Sequence, residues 1–210
     1  MQINFTILLD LLGTFAFAVS GIRMASAKQI DWFGAYIIGL VTAIGGGTLR
    51  DVLLDVTPFW FLDVKYILTT GLALVAILLF KEKLYQLGST LFLFDTIGLG
   101  LFTVVGITKS IAAGLPFWVC IIMGTITGSV GGVVRDVLLN EVPLIFRKDV
   151  YALACVAGGG VYFLCSALDF NADVTAIIAA ITVIALRLLS VKFHIHLPQL
   201  QPTQKDSKSK

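Results

Sequence analysis

Residues 45–54 read GGGTLRDVLL, and residues 130–139 read VGGVVRDVLL. Each stretch holds adjacent glycines, then Arg-Asp, then Val-Leu-Leu, and each lies at the end of a long apolar segment. The residue numbers of the two arginines, Arg50 and Arg135, differ by 85 (135 − 50 = 85), a difference that we call the repeat offset. A motif that recurs at a fixed distance indicates an internal duplication, which bears on the whole fold.

The repeat offset holds beyond the motif in both directions without a gap. Identical residues recur at that offset along three apolar segments of each half. The pairs are Asp10 and Asp95, Gly13 and Gly98, Gly21 and Gly106, Gly39 and Gly124, Thr42 and Thr127, Asp51 and Asp136, Pro58 and Pro143, and Tyr66 and Tyr151. The two halves are therefore predicted to share one fold.

The composition is that of an integral membrane protein. Of the 210 residues, 58% are apolar and only 13% are charged, whereas soluble domains carry about 25% charged residues. The net charge of +2 is small, and no polar domain is present to carry a basic patch, so nucleic-acid binding is not expected. The sequence shows neither a nucleotide-binding loop nor a nucleophile–base set, and we expect no enzymatic activity, no cofactor and no resident metal.

A spanning helix needs roughly 20 mainly apolar residues, and seven segments of the chain approach this requirement. We predict spans at Phe5–Ile22, Trp32–Leu54, Val64–Phe80, Ser89–Ile107, Pro116–Leu139, Val150–Ala167 and Val174–Val191. The predicted units are a first three-helix repeat (1–88), a second three-helix repeat (89–170), a seventh helix (171–191) and a disordered cytoplasmic tail (192–210). The fold class is thus all-α, with seven transmembrane helices.

Three spans in each repeat is an odd number, so the second repeat must cross the membrane in the opposite sense to the first. The positive-inside rule then sets the orientation. One side holds Arg23, Lys28, Lys81, Lys83, Arg147, Lys148, Lys192 and the lysines of the tail, and the other holds Lys65, Lys109, Asp169 and Asp173. We expect the basic side and the C-terminus in the cytoplasm, and the N-terminus outside.

The second and fifth spans each carry a stripe of small and polar residues. Gly39, Thr42, Gly46 and Arg50 have the spacing of one helix face, and the same stripe recurs at the repeat offset. Such a stripe is typical of close packing between membrane helices. It also suits a substrate pathway, because ionisable residues near membrane depth are usually functional.

The glycines favour the pathway. Gly45, Gly46 and Gly47 in one repeat, and Gly131 and Gly132 in the other, each cost a helix roughly 1 kcal/mol relative to alanine. We therefore predict that the second and fifth spans are kinked or interrupted at these points. Such breaks at matched places in inverted repeats mark ion or substrate paths, since they free carbonyl oxygens for a ligand.

Two further carboxylates, Asp10 and Asp95, lie within apolar spans at matched positions. They could pair with Arg50 and Arg135 or contact the transported ion directly, and the sequence leaves both open. Adjacent residues on a helix point about 100° apart. Each Arg and the Asp that follows it are therefore expected to find partners on other helices.

Paired GGG-x-x-RD and GG-x-x-RD motifs in a duplicated seven-span chain resemble the prokaryotic trimeric intracellular cation (TRIC) channel family. The resemblance covers about residues 5–191. It implies two inverted three-helix repeats plus a seventh helix, a homotrimer in the prokaryotic plasma (inner) membrane, and one pore within each protomer. It also implies that the second and fifth helices kink at the glycines, line that pore and conduct monovalent cations, K⁺ or Na⁺.

The candidate pathway residues combine this resemblance with the stripes. They are Thr42, Gly45, Gly46, Gly47, Arg50, Asp51, Thr127, Gly128, Gly131, Gly132, Arg135 and Asp136, with Asp10 and Asp95 as possible supporting carboxylates. Val130 stands where the first repeat has Gly45, which predicts a softer second kink.

Three functions remain open at this point. A passive cation channel would replace part of an ion's hydration shell with freed carbonyls and the hydroxyls of Thr42 and Thr127. A secondary transporter of a small amino acid such as glycine, a label that related bacterial sequences have carried, would hold a carboxylate at half-helix N-termini. A scaffold would use the glycines only for packing. The second and fifth spans contain few Asn, Gln or Ser residues to line a strongly polar cavity, and this favours the channel.

Overall fold

The protein is represented by a computed structural model that describes residues 5–80, 90–147 and 150–195. Its helices are α1 (Phe5–Ala27), α2 (Trp32–Leu53), α3 (Phe59–Leu62), α4 (Lys65–Leu79), α5 (Thr90–Ala112), α6 (Phe117–Leu138), α7 (Ala152–Ala167) and α8 (Ala172–Lys192), with a 3-10 turn at Leu144–Phe146. The basic residues Lys81, Lys83 and Lys148 and the tail beyond residue 195 lie outside the described residues.

Among the described helices, five are long and apolar enough to cross a membrane: α1, α2, α5, α6 and α8. The third helix of each repeat is shorter: α4 has 15 residues and α7 has 16. At a rise of 1.5 Å per residue these correspond to about 22–24 Å, against about 30 Å of hydrocarbon. In both repeats a proline-containing link, with α3 or the 3-10 turn, precedes the short helix.

The helix ends follow local sequence. The side chain of Asp31 caps α2 by accepting a hydrogen bond from Gly34 N at 2.7 Å. At the other end, the chain leaves α2 through Asp55, with φ of 55°, and leaves α6 through Asn140, with φ of 54°. Asp and Asn tolerate this left-handed conformation better than most residues. Because Asp55 and Asn140 are related by the repeat offset, both repeats leave the motif helix by the same turn.

The two repeats are antiparallel. Asp10, early in α1, contacts Lys109, late in α5. Asp95, early in α5, shares the Arg135 guanidinium with Ser20, late in α1. The two charged motifs therefore lie at opposite ends of the bundle, as an inverted repeat requires.

A pseudo-two-fold axis passes between α1 and α5. The rings of Phe17 and Phe102, which are repeat partners, are in contact at 5.2 Å between centroids. Each ring occupies the space left by a glycine on the opposite helix, Phe102 at Gly13 and Phe17 at Gly98. The core is thus built from reciprocal glycine–phenylalanine contacts, and α8 packs outside it against α5 and α7.

The motif helices do not break at their glycines. Residues 32–53 are helical throughout, including Gly45–Gly47, and residues 117–138 are helical through Gly131 and Gly132. The predicted interruption is therefore wrong for this conformation. Packing overrides the weak helix propensity, because the bare glycine faces are covered by a neighbouring helix.

Candidate functional site

The motif helices α2 and α6 cross at the glycines. A β-carbon on Gly46 would overlap the backbone carbonyl oxygen of Thr127, and one on Gly131 would overlap that of Thr42. These two contacts are repeat partners, so the crossing is symmetric. The backbones of α2 and α6 touch because neither helix carries a side chain at this point.

The threonine hydroxyls do not face this crossing. The hydroxyl of Thr42 donates to Ile38 O and that of Thr127 to Met123 O, each at 2.6 Å. They lie against Gly21 of α1 and Gly106 of α5. The threonines thus present carbonyl oxygens, rather than hydroxyls, between α2 and α6.

The remaining motif glycines have separate neighbours. A β-carbon on Gly45 would lie 3.7 Å from the Cα of Gly131, which is ordinary contact. Gly47 is covered by the Phe59 ring, Gly132 by the Tyr151 hydroxyl, and Gly128 by Leu99 and Thr103 of α5. Among the candidate glycines, Gly45, Gly46 and Gly131 therefore lie at the α2–α6 interface.

At one end of the crossing lies a group that we call the Asp95 cluster: Asp95, Arg135, Asp136, Ser20, Tyr151 and Arg187. Arg135 Nη1 donates to Asp95 Oδ1 and to Ser20 Oγ, both at 2.6 Å. Its Nε donates to Asp136 Oδ1 at 2.8 Å. Asp95, Arg135 and Asp136 are each 1% exposed, so this network is sealed.

Arg187 of α8 completes the Asp95 cluster. Its guanidinium lies over the rings of Tyr151 and Phe92, at 4.9 and 5.1 Å, and Nη1 donates to Val150 O at 3.2 Å. The cluster thereby holds two cations and two carboxylates, and its formal charges balance.

At the other end lies the Asp10 cluster: Asp10, Arg50, Asp51, Phe59, Tyr66 and Lys109. Asp10 does not pair with Arg50. Its Oδ2 accepts a hydrogen bond from Tyr66 OH at 3.1 Å and lies 3.4 Å from Lys109 Nζ. Arg50 Nε donates to Asp51 Oδ1 at 2.8 Å. This cluster also holds two cations and two carboxylates.

Each motif arginine pairs with the aspartate that follows it, contrary to the expectation that adjacent residues would separate. The long arginine side chain folds back to reach its neighbour, and the other oxygen of each carboxylate is held by the link beyond the helix. Asp51 Oδ2 accepts from Phe59 N at 2.9 Å, and Asp136 Oδ2 accepts from Leu144 N at 3.1 Å. Both aspartates therefore anchor the turn after a motif helix.

The Asp10 cluster opens to a cavity of about 430 Å³, lined by Asp51, Phe59, Lys109 and apolar residues that include Val56 and Ala113. The side chain of Lys109 is 31% exposed there. Both cations lie over the Phe59 ring, with Lys109 Nζ 5.1 Å and Arg50 Cζ 5.6 Å from its centroid.

Sequence reasoning missed six residues of these clusters: Ser20, Phe59, Tyr66, Lys109, Tyr151 and Arg187. Tyr66 and Tyr151 stood out only as an identical pair at the repeat offset. The cation Arg187, inside an apolar segment, was a usable signal, because intramembrane cations are rare. Ser20, Phe59 and Lys109 are placed by contacts between elements far apart in sequence, which one chain read alone does not reveal.

Comparison with known proteins gives the family. A family model described as "Glycine transporter" matches the chain twice, over residues 7–82 and 92–167, and the two matches are related by the repeat offset (92 − 7 = 85). The chain belongs to this family. Its solved members include prokaryotic TRIC channels, which confirms the resemblance read from the motifs.

A TRIC trimeric intracellular cation channel orthologue from Rhodobacter sphaeroides superposes with a TM-score of 0.85 at 31% identity, covering 90% of this chain and 98% of that one. The UPF0126 inner membrane protein YadS of Escherichia coli strain K12 is 34% identical, covering 90% of this chain and 93% of the relative. A UPF0126 membrane protein of Vibrio cholerae is 35% identical, over 94% and 83%. This family member is thus an integral membrane protein with a TRIC channel fold.

Proposed function

We propose that this family member is a passive channel for monovalent cations, K⁺ among them, with one path in each protomer between α2 and α6. The observation that carries the proposal is the symmetric crossing, where two glycines face the carbonyl oxygens of Thr42 and Thr127. In this conformation the crossing is closed by backbone contact. Separating α2 from α6 by a small distance would expose carbonyl oxygens to a passing ion, which is a common basis of cation coordination.

The charge balance of the clusters supports a cation path. A bare guanidinium repels a cation 4 Å away by about 4 kcal/mol at an effective dielectric of 20. Each cluster sets two carboxylates against its two cations. Neither end of the crossing therefore presents an uncompensated positive barrier. The orthologue from Rhodobacter sphaeroides, a trimeric intracellular cation channel, has the same fold.

The wider assembly follows from the same proposal. We place seven spans in the membrane, with α4 and α7 as short spans, and three protomers in the assembly. The protein would lie in the inner membrane, as YadS does. The excess of Lys and Arg on one side would put the C-terminus in the cytoplasm and the Asp10 cluster on the outer side. Reporters fused after Lys210 and before Met1 should then report opposite sides; a shared side would refute the seven-span arrangement.

A second candidate is secondary transport of glycine. The family description favours it, and the cavity offers the ammonium of Lys109 and the carboxylate of Asp51 to a zwitterion. Purified protein in liposomes separates the two candidates. A channel gives a reversal potential that follows the K⁺ gradient and no counterflow of radiolabelled glycine. Counterflow of glycine without K⁺ conductance would overturn the channel proposal.

A further inference from the structure

Three buried polar atoms of the Asp95 cluster have no hydrogen-bond partner within the part of the chain that the structure describes. They are Asp95 Oδ2, the Tyr151 hydroxyl and Arg187 Nε. Each of these residues is 1% exposed, so bulk water does not reach them. A buried polar atom without a partner is costly, and in native proteins most such atoms are bonded to protein or to an ordered water. Three of them in one cluster indicate a shared partner that is not a side chain.

The three side chains meet beside α6, α7 and α8. A β-carbon on Gly132 of α6 would lie 2.8 Å from the Tyr151 hydroxyl and 3.6 Å from Asp95 Oδ1. The hydroxyl and the carboxylate therefore approach the same bare stretch of the α6 backbone. The Arg187 guanidinium lies over the Tyr151 ring, 4.9 Å from its centroid. One small ligand at this place can therefore serve a carboxylate, a hydroxyl and a guanidinium.

The first repeat shows the same tyrosine and aspartate in direct contact. Tyr66 OH donates to Asp10 Oδ2 at 3.1 Å, and the Tyr66 ring packs edge-on against Phe59 at 4.3 Å between centroids. The second repeat keeps both residues at the repeat offset, but the ring of Tyr151 is covered by Arg187, which belongs to the unduplicated helix α8. The tyrosine thus has a different neighbour in each repeat, and only in the first does its hydroxyl reach the carboxylate.

We infer that the Asp95 cluster is a binding site for an internal water molecule, which bridges the Tyr151 hydroxyl and Asp95 Oδ2 and accepts a hydrogen bond from Arg187 Nε. A buried water typically makes about three hydrogen bonds, and these three atoms supply them. Charge decides against an ion, because the cluster already balances two cations with two carboxylates, and a further buried charge would be unpaired. The site is independent of the proposed cation path, since it holds a neutral ligand beside α8.

High-resolution crystallography of the full chain in rubidium bromide tests both the site and the identity of its ligand. We expect density for one small ligand within hydrogen-bond distance of Asp95 Oδ2 and the Tyr151 hydroxyl. Rubidium and bromide scatter anomalously and water does not, so this density should carry no anomalous signal. A site without density would overturn the inference. An anomalous peak on the same atoms would also overturn it, because the ligand would then be a cation or an anion.

Tyr151→Phe gives a second measurement whose sign depends on the water. If the hydroxyl is bonded to a water, its removal should lower the melting temperature. If the hydroxyl is unbonded, its replacement by an apolar group of the same shape should leave the melting temperature unchanged or raise it. Tyr66→Phe is the matched control and should be destabilised in either case, because its hydroxyl bonds directly to Asp10. A fall in Tyr66→Phe without a fall in Tyr151→Phe would refute the water site.

Discussion

The two charged clusters descend from one duplicated motif, and they use it differently. In the Asp95 cluster the motif arginine joins Asp95, Asp136 and Ser20 in a sealed network. In the Asp10 cluster the motif arginine pairs with its neighbour Asp51 and lies over the Phe59 ring, while Asp10 contacts Tyr66 and Lys109. Identical motif residues thus have different partners, because the residues around them differ.

Two replacements at the repeat offset explain the difference. Ser20, which accepts from Arg135, corresponds to Val105, so Arg50 lacks that partner. Lys109 corresponds to Met24, and the second cation of the Asp95 cluster comes instead from Arg187 of the unduplicated α8. Both clusters are therefore charge-balanced, although their second cations come from positions that are not related by the repeat offset.

The loops differ in the same way. Near the Asp95 cluster, Lys28 and Glu141 form an ion pair at 2.5 Å between the α1–α2 and α6–α7 links. Their repeat partners are Ala113 and Val56, which line the cavity at the other end. The ion pair therefore joins two links at one end of the bundle, whereas at the other end the corresponding positions line the cavity.

The largest expected effect comes from Asp95→Asn. Removing one partner of a buried ion pair typically costs about 3–5 kcal/mol, because Arg135 would keep only part of its compensation. Asp10→Asn should cost about 1 kcal/mol, the scale of a lost hydrogen bond, since its cation can move into the cavity. Thermal unfolding in detergent measures both, and equal losses would contradict the division into a sealed and an open cluster.

Next in size is the effect of Gly46→Ala. The added methyl group meets the backbone of Thr127, which cannot move as a side chain can, so we expect a loss of about 1–3 kcal/mol. We also expect reduced K⁺ flux. Gly45→Ala is the matched control: its methyl group finds ordinary contact and gains helix propensity. Equal stability of the two variants would show that the crossing is looser than described.

A smaller effect is expected for Arg187→Met. It removes a cation stacked on two rings, a contact worth about 2 kcal/mol when desolvated, and leaves the Asp95 cluster with excess negative charge. Adding Met24→Lys should restore part of the lost melting temperature, because it supplies a cation from the position that Lys109 occupies in the other repeat. If Met24→Lys does not raise the melting temperature of Arg187→Met, a second cation is not what balances the charge of the Asp95 cluster.

The smallest effect concerns the loops. The hydrogen bond from Lys28 lowers the pKa of the Glu141 carboxyl, with a further contribution from the charges of Lys28 and Arg147. A carboxyl whose pKa is depressed by folding stabilises the protein above its unfolded pKa, and this contribution is lost as pH falls through the folded value. The acid-induced fall in melting temperature should therefore be slightly smaller in Glu141→Gln. An unchanged acid response would show that the ion pair makes no contribution to stability.

Much of this organisation was available from the sequence. The repeat offset predicted the duplication, and composition predicted the membrane class, because an apolar chain of this kind has few alternatives. The family resemblance is confirmed by the comparisons. The limits proposed for the repeats, the seven-span count, the trimer and the roles of the candidate pathway residues stay predictions.

Other features could not be read along the chain. The interruption expected at Gly45–Gly47 is absent from α2, because glycine propensity is a local cost that a close helix crossing can offset. The pairing of Asp95 with Arg135, and of Asp10 with Lys109, joins residues 40 and 99 positions apart. A sequence indicates that a buried charge needs a partner, but several candidates satisfied that need equally well.

The sequence by itself determined the duplicated motif and the apolar helices, since these depend on spacing and hydropathy. It also predicted the inverted order of the repeats from the three spans assigned to each of them. Tertiary structure alone decided which carboxylate meets which cation and which glycine meets which carbonyl. It also decided that one cluster is sealed while the other opens to a cavity. The physical reason is that helices fold from local periodicity, whereas desolvated charges and bare glycine faces take partners according to how those helices pack.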